Sequence, residues 1–168
     1  MQLIFRRVKS AFFTIPHTND WLQAIGLLLI FAFVYLPIGF GLGFLELDVR
    51  SSWQTVVSVS LGALFMPSLL EELGFRVLLL PHPAESTSPS TRWLFSGFSW
   101  LLFVAYHLHP LVPSFFRTLA FLLGAGLLGI ICTLSYLKSG SVWIPIFIHW
   151  AIVVAWLLLF GGLKRFHG

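Results

Sequence analysis

A polytopic bundle of membrane-spanning α-helices, all-α in class, is what this sequence predicts, and three observations predict it. Of its residues 58% are hydrophobic and only 10% are charged, and the mean hydropathy is +0.93. A soluble domain carries about 25% charged residues, so this chain lacks the polar surface to cover itself in water. Several apolar runs approach the roughly 20 residues that a helix needs to cross the hydrocarbon core. Finally, Trp21, Trp53, Trp93 and Trp143 stand at the starts of those runs, as indoles do when they anchor at the membrane–water interface. The net charge of +4 then reads as membrane-flanking Lys and Arg, and no basic run with interleaved polar residues points to nucleic acid. Cys132 is the single cysteine, which excludes an intrachain disulfide and reads as a small packing residue.

The elements follow in order. Residues 1–20 set Arg6, Arg7 and Lys9 before a short apolar patch ending at Pro16, the pattern of an interfacial amphipathic segment. The run 21–44 exceeds the 7 to 15 residues of a signal-peptide core and no small-residue cleavage pattern follows it, so it is the first span. A polar loop with Glu46, Asp48 and Arg50 leads into a second span, 53–80, which Pro67 should kink. Residues 81–92 are polar and proline-rich, an extramembrane loop without a helix. A third span covers 93–109 and a fourth 114–137, whose Ala120/Gly124 and Ala125/Gly129 pairs have the spacing that lets helices approach closely. The fifth covers 142–161, and 162–168 form a tail. The transmembrane domain is thus 21–161, with about five helices. The positive charges of Arg6, Arg7 and Lys9 against Arg50 favour a cytoplasmic N-terminus in a bacterial-type plasma membrane.

Within the second span stands Glu71-Glu72-Leu73-Gly74-Phe75-Arg76. An ionisable group at this depth costs about 2.5 to 3.5 kcal/mol and usually faces the bundle interior to some purpose. At about 100° per residue, Arg76 is about 40° from Glu72 and about 140° from Glu71. Glu72 and Arg76 therefore pair at i,i+4, and Glu71 is left without a local counter-ion. His107 and His149 also fall within spans. At about 1.5 Å per residue, Glu71 lies roughly 15 Å in from the 81–92 loop, His149 roughly 13 Å in from Gly140, and His107 roughly 22 Å in from Arg92. These depths, measured from one surface, put a carboxylate and two imidazoles in one slab around a mid-membrane cavity. His109 is about 200° from His107 and faces elsewhere, and His17, His82 and His167 read as solvated. Tyr106 adjoins His107.

Two chemistries use such a set. Glu71 can act as general base on a water that the histidines orient, with their N–H groups meeting a developing oxyanion. Alternatively, Glu71, His107 and His149 can hold a zinc-bound water, although the compact H-E-x-x-H pattern is absent. The first needs no cofactor. A third use, proton relay in a transporter, lacks the internal repeat common in such folds.

Glu71-Glu72-x-x-x-Arg76, Phe103-x-x-x-His107 and Ser139-Gly140-Ser141-Val142-Trp143 leading to His149 resemble the CPBP family of intramembrane endopeptidases, which includes CAAX prenyl proteases and bacteriocin-processing (Abi) proteins. The resemblance covers roughly 53–160. It implies that Glu71 and His107 activate water, that His149 helps to form the oxyanion site, and that Glu72 and Arg76 are a structural ion pair. It implies a glutamate-type protease acting on a membrane-associated or prenylated peptide, with membrane lipid as its surroundings and the zinc-dependent version as the alternative. The family's last motif carries Asn or Asp four residues after the histidine, and here that position is Val153. Trp150 N–H and backbone amides are the remaining donors nearby. The departure keeps a second expectation in view, a noncatalytic immunity or scaffold relative.

Overall fold

The computed structural model describes residues 2–167; the side chain of His167, expected to be solvated, lies outside the described residues. Helices account for most of the described residues, with one isolated β-bridge between Asp48 and Phe160. Helix α1 covers Gln2–Phe13, α2 Thr18–Gly41, α3 Trp53–Ala63, α4 Leu70–Glu72, α5 Pro89–Tyr106, α6 Leu119–Ser139, α7 Trp143–Leu159 and α8 Gly162–His167. Single π-helical turns at Leu64–Leu69 and Leu73–Leu78 flank α4.

Among the described residues, three stretches are long and apolar enough to cross a membrane: Thr18–Gly41, Trp53–Leu78 and Leu119–Ser139. Trp143–Leu159 is apolar but shorter. The expected third span begins earlier than its Trp, because Ser88 caps the helix by accepting the Thr91 N–H at 3.1 Å and Pro89 takes the first turn, where a missing N–H costs nothing. The polar turn Pro89-Ser90-Thr91-Arg92 lowers the apolar content of α5, which ends at Tyr106 rather than at His109. The fourth span also starts later than expected, at Leu119 behind a 3₁₀ turn at Ser114–Arg117.

Small residues on α6 set the packing. A methyl group on Gly124 would stand 2.6 Å from the ring of Tyr35, and one on Gly129 would stand 2.9 Å from Trp100 and 3.1 Å from Phe103. Only glycine therefore lets α2 and α5 come this close to α6. Tyr35 Oη donates to the Ala120 carbonyl at 2.9 Å, which satisfies a buried hydroxyl.

The two ends of the bundle are each tied together. At one end, Arg7 of α1 grips Glu85 through two hydrogen bonds of 2.7 and 2.8 Å. There too the Val142 N–H donates to the Ala11 carbonyl at 3.0 Å and Trp143 Nε1 to that of Phe12 at 3.0 Å. At the other end, Arg165 of α8 donates to the carbonyls of Gly43 and Phe44, and Lys164 pairs with Glu46 at 2.8 Å. The solvated reading of His82 is corrected. Its ring is 7% exposed, with Nε2 donating to the Gly140 carbonyl at 3.0 Å and Nδ1 accepting the Ala84 N–H at 3.2 Å. A turn 58 residues away supplies that partner, out of reach of local pattern.

Candidate active site

The second span is not one helix. Proline carries no N–H and crowds the preceding turn, and the chain breaks at Met66 (φ −139°, ψ 114°) before Pro67. Past the break, the helix restarts so that two adjacent carboxylates meet different surroundings.

Glu72 points into dry protein and is fully buried. Its Oε1 accepts the His149 Nδ1–H at 2.7 Å. Its Oε2 stands 3.1 Å from Arg76 Nε, a charge contact that is not aligned as a hydrogen bond. Arg76 is 1% exposed; its Nη2 donates to the Gly129 carbonyl at 3.0 Å, and its guanidinium lies 4.6 Å over the Phe103 ring. A cation on an aromatic face away from water is worth about 2 kcal/mol or more. This set of partners offsets the cost of burying two charges. Cys132 joins the cluster: its Sγ lies within 4.8 Å of donor atoms of Glu72 and His149, and it donates to the Pro145 carbonyl at 3.7 Å.

Glu71 turns the other way. Its Oε2 is buried without a hydrogen-bond partner and stands 3.8 Å from His149 Nε2, beyond hydrogen-bond range. The residue lines a cavity of about 490 Å³ together with His107, His149 and Val153. His107 is the first residue past α5. Its Nδ1 donates to the Phe103 carbonyl at 2.9 Å, so in the neutral ring Nε2 carries a lone pair. The early end of α5 is what lets this ring turn back beside Phe103, Phe116 and Phe121.

The structure thus brings Glu71, His107 and His149 onto one cavity and places Glu72 and Arg76 in contact behind it. Val153 lines the same cavity one turn beyond His149, so the missing polar group is missing from the cavity wall itself. The indole of Trp150 does not replace it: Nε1 donates to the Ser60 carbonyl at 2.8 Å, against α3. Tyr106 also lines the cavity, whereas His109 is exposed. Sequence reading missed Cys132 as a neighbour of the site and the contributions of Phe31 and Tyr35 from α2 and of Phe44 just beyond it, for which no motif exists. Phe166 was placed in a tail, yet it reaches the cavity.

The same donors bear on a metal. In each histidine Nδ1 is held, by a carbonyl or a carboxylate, which orients Nε2 as outer partners orient metal-bound imidazoles. Glu71 and His149 approach to 3.8 Å, but among the described residues the three donors that come within 4.8 Å of one another are Glu72, Cys132 and His149, so Glu71, His107 and His149 line one cavity without closing on a common ion position. Glu72, Cys132 and His149 do not suit a metal either, because the Arg76 guanidinium already stands against Glu72.

No curated protein and no solved structure matches the chain. A family model described as type II CAAX prenyl endopeptidase Rce1-like matches residues 52–155, which include Glu71, Glu72, Arg76, His107, His149 and Val153. The match spans well over half of the 168 residues, and the apolar helices agree with a family of membrane-embedded proteases. This chain, an integral membrane protein, belongs to the Rce1-like family of type II CAAX prenyl endopeptidases.

Proposed function

We propose that the protein is a glutamate-type intramembrane endopeptidase, with five membrane crossings in which α5 and α7 are the two shorter ones. The observation that carries this reading is the unpartnered oxygen of Glu71, 3.8 Å from His149 Nε2 on the wall of an apolar cavity. A water held between the Glu71 carboxylate and the Nε2 lone pair of His107 gives its proton to Glu71, and its oxygen attacks the scissile carbonyl carbon. The carbonyl π pair moves onto oxygen. His149, whose Nδ1 is held by Glu72, directs an Nε2–H at that oxyanion. Collapse of the intermediate breaks the C–N bond, and Glu71 returns the proton to the leaving amine. The apolar remainder of the cavity suits the lipid-bearing end of a membrane-associated or prenylated peptide, so that the scissile bond sits beside Glu71.

The test is Glu71→Gln, which keeps shape and removes the base. Cleavage of a prenylated peptide in vesicles is expected to vanish, and undiminished cleavage overturns the assignment. A second reading is zinc-dependent: the anchored Nδ1 atoms of His107 and His149 leave both Nε2 atoms as ligands, and Glu71, His107 and His149 would have to close together to hold the ion. That ion would supply Lewis-acid activation of the water. Stoichiometric zinc in the purified protein, with chelator-sensitive cleavage, replaces the general-base mechanism by this one. Val153 on the cavity wall favours a third, a noncatalytic relative that binds lipidated peptide. Binding without turnover at any pH identifies it.

A further inference from the structure

The cavity is not central in the bundle. Among the described residues, those that line it come from the Glu71 level and from one end only: the connection between α2 and α3 (Phe44), the connection between α5 and α6 (Leu111, Val112, Pro113) and α8 (Phe166). None comes from α1, from 79–88 or from the 140–142 turn.

The opposite end is filled. Ala11, Val77, Leu80, Tyr136, Val142 and Ile146 form one buried apolar cluster there, and Ala11, Val77, Leu80, Tyr136 and Val142 are each 0% exposed. Helix α1 is bonded over this cluster at four points of the chain, Leu78, Glu85, Val142 and Trp143. It lies outside the segment that the family model matches. By contrast, Leu111 is 88% and Phe166 is 48% exposed, although both line the cavity.

We propose that α1 and the 79–85 segment seal one end of the site, so that substrate reaches Glu71 only from the other membrane face, through a mouth made by the α5–α6 connection and α8. The N-terminal helix and the substrate's point of access then lie on opposite sides of the bilayer, whichever side each is on. This rests on the cavity being the site proposed above, but its test needs no catalysis.

The probe is a small membrane-impermeant thiosulfonate applied to each face of vesicles. Thr87→Cys and Leu111→Cys report the sealed and open faces, and Val153→Cys reports the cavity. The parent protein, whose Cys132 is 0% exposed, is the background. Val153→Cys is expected to react from the face that labels Leu111→Cys, and to react at least about tenfold more slowly from the face that labels Thr87→Cys, where access requires local opening. Ala11→Trp, which wedges the helix off its cluster, should remove that difference. Equal reaction from both faces of the otherwise unaltered protein, or faster reaction from the Thr87 face, overturns the proposal. So does reaction only with a membrane-soluble maleimide, which would mean lateral access from lipid. Loss of cleavage in Glu71→Gln bears on the function alone and leaves the access result standing.

Discussion

Glu72 has His149 and Arg76 arranged around it and no exposure at all, whereas Glu71, its neighbour in the chain, keeps an oxygen without a partner beside a cavity. The difference teaches how one turn of helix serves two purposes at membrane depth. A carboxylate supplied with every partner it needs is bound into the fold and has nothing left to give a substrate. A carboxylate left short of partners costs stability, and the network behind it holds the imidazole it faces.

The largest test of this contrast is the pair Glu71→Gln and Glu72→Gln. The first should lower cleavage by about 10² to 10⁴, the range of general-base catalysis, with the melting temperature in detergent unchanged or raised. The second should lower that temperature, since it weakens the anchor of both His149 and Arg76. Equal melting losses in the two would erase the distinction. Arg76→Ala comes next: stranding Glu72 in dry protein is expected to cost about 3 to 5 kcal/mol, read by denaturation in mixed micelles.

Val153→Asn probes the open side. A carboxamide on the cavity wall one turn from His149 should raise cleavage by up to about 10² to 10³, the worth of one oxyanion donor. No gain, with the fold intact, would mean that another group already serves the oxyanion. Gly124→Ala is smaller. The added methyl meets the Tyr35 ring at 2.6 Å, and such overpacking costs about 1 to 3 kcal/mol.

The smallest effect belongs to the partly buried ion pair at the α1 end of the bundle. Arg7 beside Glu85 holds that carboxyl below its usual range through a direct hydrogen bond, with the His82 backbone N–H and then the Arg7 charge adding to it. Because the folded state favours the ionised form, the pair's contribution is present above about pH 4.3 and fades as pH falls through the lower folded value. Its worth is at most about 1 kcal/mol. Hydrogen exchange of the α1 amides should be constant from neutral pH to about 5 after correction for intrinsic rates, then accelerate below about 4, and Arg7→Met should flatten that change.

Much of this was legible locally. The helical angle alone puts Arg76 on the side of Glu72 and away from Glu71, and the runs behind Trp21, Trp53 and Leu119 declare apolar helices by composition. The start of α5 was misplaced because Ser88 and Pro89 read equally as loop residues or as a cap and first turn. His82 was misread because its partner, the Gly140 carbonyl, lies in a distant turn. Phe166 was misread because a short charged end gives no sign of folding back.

The sequence by itself determined the class of fold, the family and the residues able to do acid–base work, since composition, 3.6-residue periodicity and side-chain chemistry are properties of the chain alone. The tertiary structure decided which nitrogen of each histidine is tied down, that Val153 faces the cavity, and which end of the bundle is open. Those outcomes depend on contacts between segments far apart in the chain, where close packing admits one arrangement of side chains and local propensity is silent about which.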